Sequence, residues 1–421
     1  LDSTGGIITL GADGTESVSI TSAAAGADLT MTITTSGTAN GVVFADDLDA
    51  AGDAGTTIVI NATNDNITFE GNIEDSVGET SADINIGAAG GNPTLTMTVD
   101  TKNNENLSIK ATIDAVDAAD NVTLAITNTD SENPNTITFV DAIGGSVGID
   151  AVTLGSNTTT TFTGAVTATT ITNSSANVTT FNDDATGVLT FGADGTSTFA
   201  ADKKIVGSVT TATTNTGTLT FATATDNLIA VSGNVGASGK LLKVVNILSD
   251  DTASDANEAS IGGNIFATTI NATATVTSSD TVEFAGTVNG TTVNLLGAGA
   301  TSFLGDVTSN VVFGAGASTT GTATVAANKK IVGAVTTATT NQGTLTFTAT
   351  TADTTLASST IGATDKLLKA VNVTSTANTA TLAGNVFATT VTATATDDTG
   401  SDKVAFSGSV NAATLTLTGT G

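Results

Sequence analysis

The sequence is most informative in what it leaves out. Its 421 residues contain no cysteine, histidine, tryptophan or tyrosine, and only 2 prolines and 2 methionines. All 11 basic residues are lysines, so there is no arginine. Without cysteine there is neither a disulfide framework nor a thiol nucleophile, and the absence is compatible with export. Without histidine, cysteine, arginine or tyrosine, the usual general bases, activated nucleophiles and anion clamps are missing, which argues against catalysis. No apolar run approaches the roughly 20 residues that span a bilayer, so no transmembrane segment is expected.

What remains is dominated by Thr, Ala, Gly, Asn, Val and Asp, with 15 phenylalanines as the only aromatics. Apolar residues make up 39% and charged residues 12%, which is not the charged, apolar-poor signature of a disordered chain. β-Branched Thr, Val and Ile have stiff side chains that suit a pleated surface, so the expected class is all-β. The 40 acidic residues outnumber lysine enough to give a formal charge of −29. A nucleic-acid partner needs Lys and Arg to displace counterions from phosphate and is therefore excluded, and an anionic membrane surface is disfavoured on the same ground. The chain opens at Leu1 with no leader sequence, which fits either a trimmed segment or a processed, exported chain.

Internal repetition is the strongest signal. Lys203-Lys204-Ile205-Val206-Gly207 returns as Lys329-Lys330-Ile331-Val332-Gly333, a spacing of 329 − 203 = 126 residues. The phrase ending GTLTF at Phe221 returns at Phe347, and KLLKVVN from Lys240 returns as KLLKAVN from Lys366, both 126 apart. GNIFATTI from Gly263 returns as GNVFATTV from Gly384, 121 residues on, the difference falling in the acidic loop between Asp250 and Gly262. Phe162, Phe284 and Phe406 each open a Phe-x-Gly-x-Val phrase, 122 residues apart. One copy therefore runs over about 153–278 and a second over about 279–400, while 401–421 begins a third and 1–152 reads as divergent repeats of like composition. The natural protein is expected to continue beyond Gly421.

A finer period runs inside each copy. Phe162 to Phe181 and Phe284 to Phe303 are both 19 residues, and Phe-x-Gly-x-Val/Ile also occurs at Phe69 and Phe303. Between these lie alternating segments such as Thr218-Leu219-Thr220-Phe221, separated by Gly, Asn and Asp turns. Alternation of period two gives each segment one buried and one wet face. Rungs of about 20 residues with an inward Phe or Leu stripe predict a parallel β-solenoid, or β-helix, whose outward Thr and Asn stack into ladders. The alternative is a row of β-sandwich domains, against which stand the lack of Tyr or Trp cores and of Pro-rich linkers. The LLKVVNIL stretch fits a strand or a short helix and, being repeated, reads as core.

These phrases, Phe-x-Gly-x-Val, Gly-Thr-Leu-Thr-Phe and Gly-Asn-Val/Ile-Phe-Ala-Thr-Thr, resemble the passenger regions of large bacterial autotransporter surface antigens of the rickettsial outer-membrane type. The composition and acidity resemble bacterial surface-layer proteins more generally. The match covers mainly 150–421, and no translocator with aromatic girdles is present in the sequence. The resemblance implies an extracellular, cell-surface structural protein that assembles with copies of itself into a layer or filament; the alternative is an adhesin stalk.

The remaining chemistry is a matter of carboxylates. Three acidic clusters stand out: Asp46, Asp47, Asp49 and Asp53; Asp250, Asp251, Asp255 and Glu258; and Asp397, Asp398 and Asp402. Ca²⁺ takes six to eight oxygens from carboxylates, Asn and backbone carbonyls on flexible loops, which these Gly-containing segments supply. None follows a recognised calcium-loop spacing, so the competing reading is a set of solvated turns. Asn-x-Ser/Thr triplets at Asn61, Asn66, Asn121, Asn157 and Asn271 leave glycosylation open, though a Thr-rich chain produces them by chance.

Overall fold

The computed structural model describes 2–3, 7–10, 18–19, 29–35, 41–44, 48–49, 56–62, 66–69, 71–74 and 82–86 in the N-terminal part of the chain. From 106 onward it describes all residues but 117, 119–120, 129–134, 157, 225–227, 251–257, 276–279, 315–320, 352, 397–401 and 420–421. The chain is all-β, with parallel strands stacked as a β-solenoid of about 13 turns about 23 residues apart. No helix long and apolar enough to cross a membrane occurs among the described residues. The chain falls into two compact units, one comprising 1–200 with 205–207 and the other 201–204 with 208–421.

In the first unit, parallel pairing is already in place where the sequence repeat is weakest. Leu29–Thr35 pairs with Thr56–Ala62, which pairs with Ala82–Ile86 and then Ala111–Ala115. Further on, three inward columns define three faces. One runs Phe139, Phe162, Phe181, Phe199. The second runs Val152, Ile171, Leu189, and the third Ile143, Val166, Ala185, Ile205.

The second unit has the same plan. Leu219, Val245, Ile270, Val293, Val311 and Val335 stack on its first face. Ala259, Val282, Thr301, Ala323, Leu345 and Val371 stack on the second. Val288, Val307, Ile331, Ala357, Leu382 and Phe406 stack on the third. The LLKVVNIL segment is the strand Leu242–Ser249, with Leu242, Val245 and Ile247 buried, as a core element should be.

At Phe284 and Phe303 the Phe-x-Gly-x-Val phrase is the corner between the second face and the third. Phe284 closes the strand Thr281–Phe284 with its ring buried, and Val288, also buried, opens Val288–Gly297. Gly286 between them lies so near the previous coil that a Cβ would stand 2.5 Å from the Gly263 carbonyl oxygen, and Gly305 meets Gly286 in the same way at 2.3 Å. A side chain does not fit, so glycine stacks on glycine up the corner. The phenylalanines fill the interior: 12 of the 15 are fully buried, making them the chief large side chains of a narrow core. Successive rings lie 5.3, 5.2 and 4.6 Å apart along Phe139, Phe162, Phe181 and Phe199. That spacing is the distance between parallel strands, about 4.8 Å, so like side chains stack on like.

The coils are longer than the 19-residue Phe spacing implies. Along the first face of the second unit the steps from Leu219 to Val335 are 26, 25, 23, 18 and 24 residues. These five coils take 335 − 219 = 116 residues, whereas the sequence equivalent of Leu219 is Leu345, 126 residues on. The remaining ten residues carry Leu345 past a corner onto the second face, where it pairs with Ala323 and Val371. One sequence repeat is therefore five coils plus one face of three. Thr216–Thr223, Leu242–Ser249 and Ile265–Ala274 lie on the first face. Their copies Gln342–Ala349, Leu368–Ser375 and Val386–Ala395 lie on the second.

Candidate functional surfaces

The acidic clusters are divided between described and undescribed residues. Asp46, Asp47, Asp53, Asp251, Asp255, Asp397 and Asp398 lie outside the described residues, and Asp49 ends the strand Leu48–Asp49. Asp250 is exposed, Glu258 opens the strand Glu258–Ile261, and Asp402 is fully buried ahead of Lys403–Phe406. Among the described residues no three acidic side chains converge into a group able to hold a metal ion. One hydroxyl lies between a cluster carboxylate and a carboxylate outside the clusters: that of Thr275 is 2.8 Å from an Asp250 oxygen and 2.8 Å from an oxygen of Asp280, which is 1% exposed. The hydroxyl has one proton and donates to one carboxylate at a time.

Several acidic and amide side chains act as clamps between coils. Asp353 accepts from the Thr379 backbone N–H at 2.9 Å, and Asp306 from that of Lys330 at 3.1 Å. Asn234 accepts from the Asn264 N–H at 2.9 Å, and Asn264 from the Thr287 N–H at 2.8 Å, forming a two-step chain up one corner. Each bond satisfies a corner amide that the ladder leaves over, and none of these four residues belongs to the acidic clusters that the sequence singles out. Two carboxyls are pushed above the ordinary carboxylate range. Asp141 is raised mainly by burial, against the attraction of Lys110, with Asp83 adding to the rise. Glu283 is raised mainly by burial and further by the negative charge of Glu258.

The sheet faces are chemically distinct from the corners. On the first face of the second unit Asn246, Asn271 and Asn294 form an amide ladder with two 2.8 Å hydrogen bonds, extended by Asn246 donating to the Thr220 hydroxyl at 3.1 Å. Asn271, one of the glycosylation triplets, therefore spends both ends of its amide on its neighbours. Asn121 is exposed; Asn61 and Asn66 lie on the strands Thr56–Ala62 and Asn66–Phe69, and Asn157 is outside the described residues.

The second face carries threonine instead. Thr344, Thr346 and Thr348 point outward from Gln342–Ala349, and Thr390, Thr392 and Thr394 from Val386–Ala395. Thr414, Thr416 and Thr418 continue them on Val410–Gly419, in strict register and with the hydroxyls of Thr394 and Thr418 2.8 Å apart. Between these strands Leu368–Ser375 contributes Ala370, Asn372 and Thr374, and beyond them Thr322–Val325 adds Thr322 and Thr324. Lys369, at the rim, is the only charged side chain on these five strands. The first unit repeats the motif in smaller form, with rows Thr136, Thr159, Val178, Thr196 and Thr138, Thr161, Thr180, Thr198 outside the phenylalanine column. The sequence signal for these rows is Thr-x-Thr recurring at the coil spacing, which is easily lost in a chain so rich in threonine.

Comparison with known protein families, curated proteins and solved structures gave no match.

Proposed function

We propose that this chain is an extracellular structural protein that assembles with copies of itself on a microbial cell surface, as a surface layer or a filament. The observation that carries this reading is the repeat of five coils plus one face. Equivalent surfaces recur along the second unit and turn from one face to the next, so a lateral contact made once is offered again in a new direction. Assembly in two dimensions needs contacts of that kind. The five threonine strands of the second face support it too, being in regular register and free of charge except for Lys369. No catalytic role is proposed, since histidine, cysteine and arginine chemistry is absent from the composition.

The test is electron microscopy of the purified protein with Ca²⁺ and again after chelation by EGTA. Ordered sheets or filaments that dissolve on chelation would support both the structural role and calcium binding by the acidic loops. Order that survives EGTA would keep the assembly and remove calcium from it. Isolated particles under both conditions would overturn self-assembly and favour the adhesin stalk.

A further inference from the structure

We infer that the threonine faces bind ice, that is, a lattice of ordered water. A parallel sheet sets two fixed spacings. Neighbouring strands lie about 4.8 Å apart, and alternate residues along one strand about 6.6–6.8 Å apart. On the second face of the second unit these two spacings are occupied over five strands by outward residues that are almost all threonine. The result is a two-dimensional array of hydroxyls and methyls with a fixed repeat in each direction.

Threonine suits such an array because its β-branched side chain is stiff at χ1, so hydroxyl and methyl positions vary little from strand to strand. The buried columns beneath, including Leu345, Val371 and Val391, pack the strands from within and so hold their register. A regular rigid array is complementary to a partner that is itself periodic at the same spacings. The oxygen repeats on the faces of hexagonal ice are close to both. Each hydroxyl then takes the place of a lattice water, while methyls shelter the waters lying between rows.

Charge points the same way. Ice is neutral, and a charged side chain would orient water against its lattice. In a chain of net charge −29, these five strands have a single lysine at their rim and no carboxylate; Glu258 and Glu283 lie on earlier strands of the same face, outside the array. The smaller array of the first unit, on Asn135–Phe139, Thr158–Phe162, Val178–Phe181 and Thr196–Phe199, carries no charge at all. Its Thr-x-Thr rows arise from different sequence, so the pattern occurs twice in the molecule. This inference does not depend on the self-assembly reading.

The experiment is a measurement of thermal hysteresis and of ice-crystal shape in solutions of the full chain. Faceted crystals and a gap between melting and growth temperatures are expected. Thr392→Tyr, at the centre of the wider array, should remove most of that gap, and adding Thr161→Tyr should abolish it, with circular dichroism unchanged. Thr273→Tyr, on the outward row shared with Leu248 and Leu296, should leave it intact. Round, unfaceted crystals from the unsubstituted protein would overturn the inference, as would a gap that survives the double substitution or is lost equally with Thr273→Tyr. Sedimentation separates the competing occupant: if Thr392→Tyr dissolves an oligomer and the protein shows no hysteresis, the face binds a second copy and not ice.

Discussion

At the scale of single residues, burial and a neighbouring like charge both favour the protonated form of the carboxylate of Glu283. Glu283 faces outward from Thr281–Phe284 beside Ser260 of the preceding coil, with Glu258 on that same neighbouring strand. Loss of water contact is the larger cause of its raised pKa, and repulsion from Glu258 the smaller. The folded state therefore takes up a proton more readily than the unfolded chain, whose Glu titrates near 4.5. It follows that stability falls as pH rises from that value through the raised one, and stays lower above both. Glu283→Gln removes the ionisation and is expected to raise the melting temperature at neutral pH by a small amount, because the side chain is partly in water. The advantage should disappear below pH 4.5, where the native carboxyl is already protonated in both states. Thermal melts of both proteins on either side of that value check this, and a difference independent of pH would contradict the assignment.

At the scale of elements, what holds a coil is mainly its own column. Phe181 is buried between Phe162 and Phe199, with ring centres 5.2 and 4.6 Å away, so removing its ring leaves a void that neither neighbour can close without losing its own stacking. Phe181→Ala is expected to cost roughly 3–5 kcal/mol in denaturant unfolding of the unit that holds it. A cost below that of a surface substitution would show the column to be slack. This level was largely legible in the sequence. The recurring phenylalanine announced an inward aromatic stripe, but that the glycine of Phe-x-Gly-x-Val is a corner with no room for a side chain emerges only from the stacking of Gly286 and Gly305. Alternation in GTLTF located Leu219 and Phe221 inside and Thr218 and Thr220 outside. The acidic clusters were less legible, because a carboxylate that clamps a backbone N–H, as Asp353 does, has the same composition as one that waits for a cation. Which it does depends on where the next coil places its amides, and that is fixed by packing and not by the local sequence.

At the scale of the molecule, the sequence period and the structural period differ, and the difference has consequences for how the chain tolerates change. The eye finds a unit of about 126 residues, but the unit of pairing is one coil, and the two are out of step by one face. A solenoid is stabilised chiefly by contacts between adjacent coils, so removing one whole coil joins surfaces that already match. Deleting 288–306 takes out 307 − 288 = 19 residues and brings Val307 to the place of Val288, which stacks on Ile265 in the intact chain. Val311 then follows Ile270 in the first-face column, and Ala323 follows Val282 in the second. This variant should fold, with a β-type circular dichroism spectrum and a cooperative melt close to that of the parent. Deleting Val288–Gly297 alone is a smaller change in length but brings the second-face strand Ala300–Phe303 to the first face. Every later strand is then a third of a turn out of place, with glycine corners such as Gly305 facing side chains instead of glycine. Loss of the cooperative melt and rapid proteolysis are expected for the shorter deletion. Equal tolerance of both would mean that the faces are interchangeable and that neither the columns nor the glycine corners set the register.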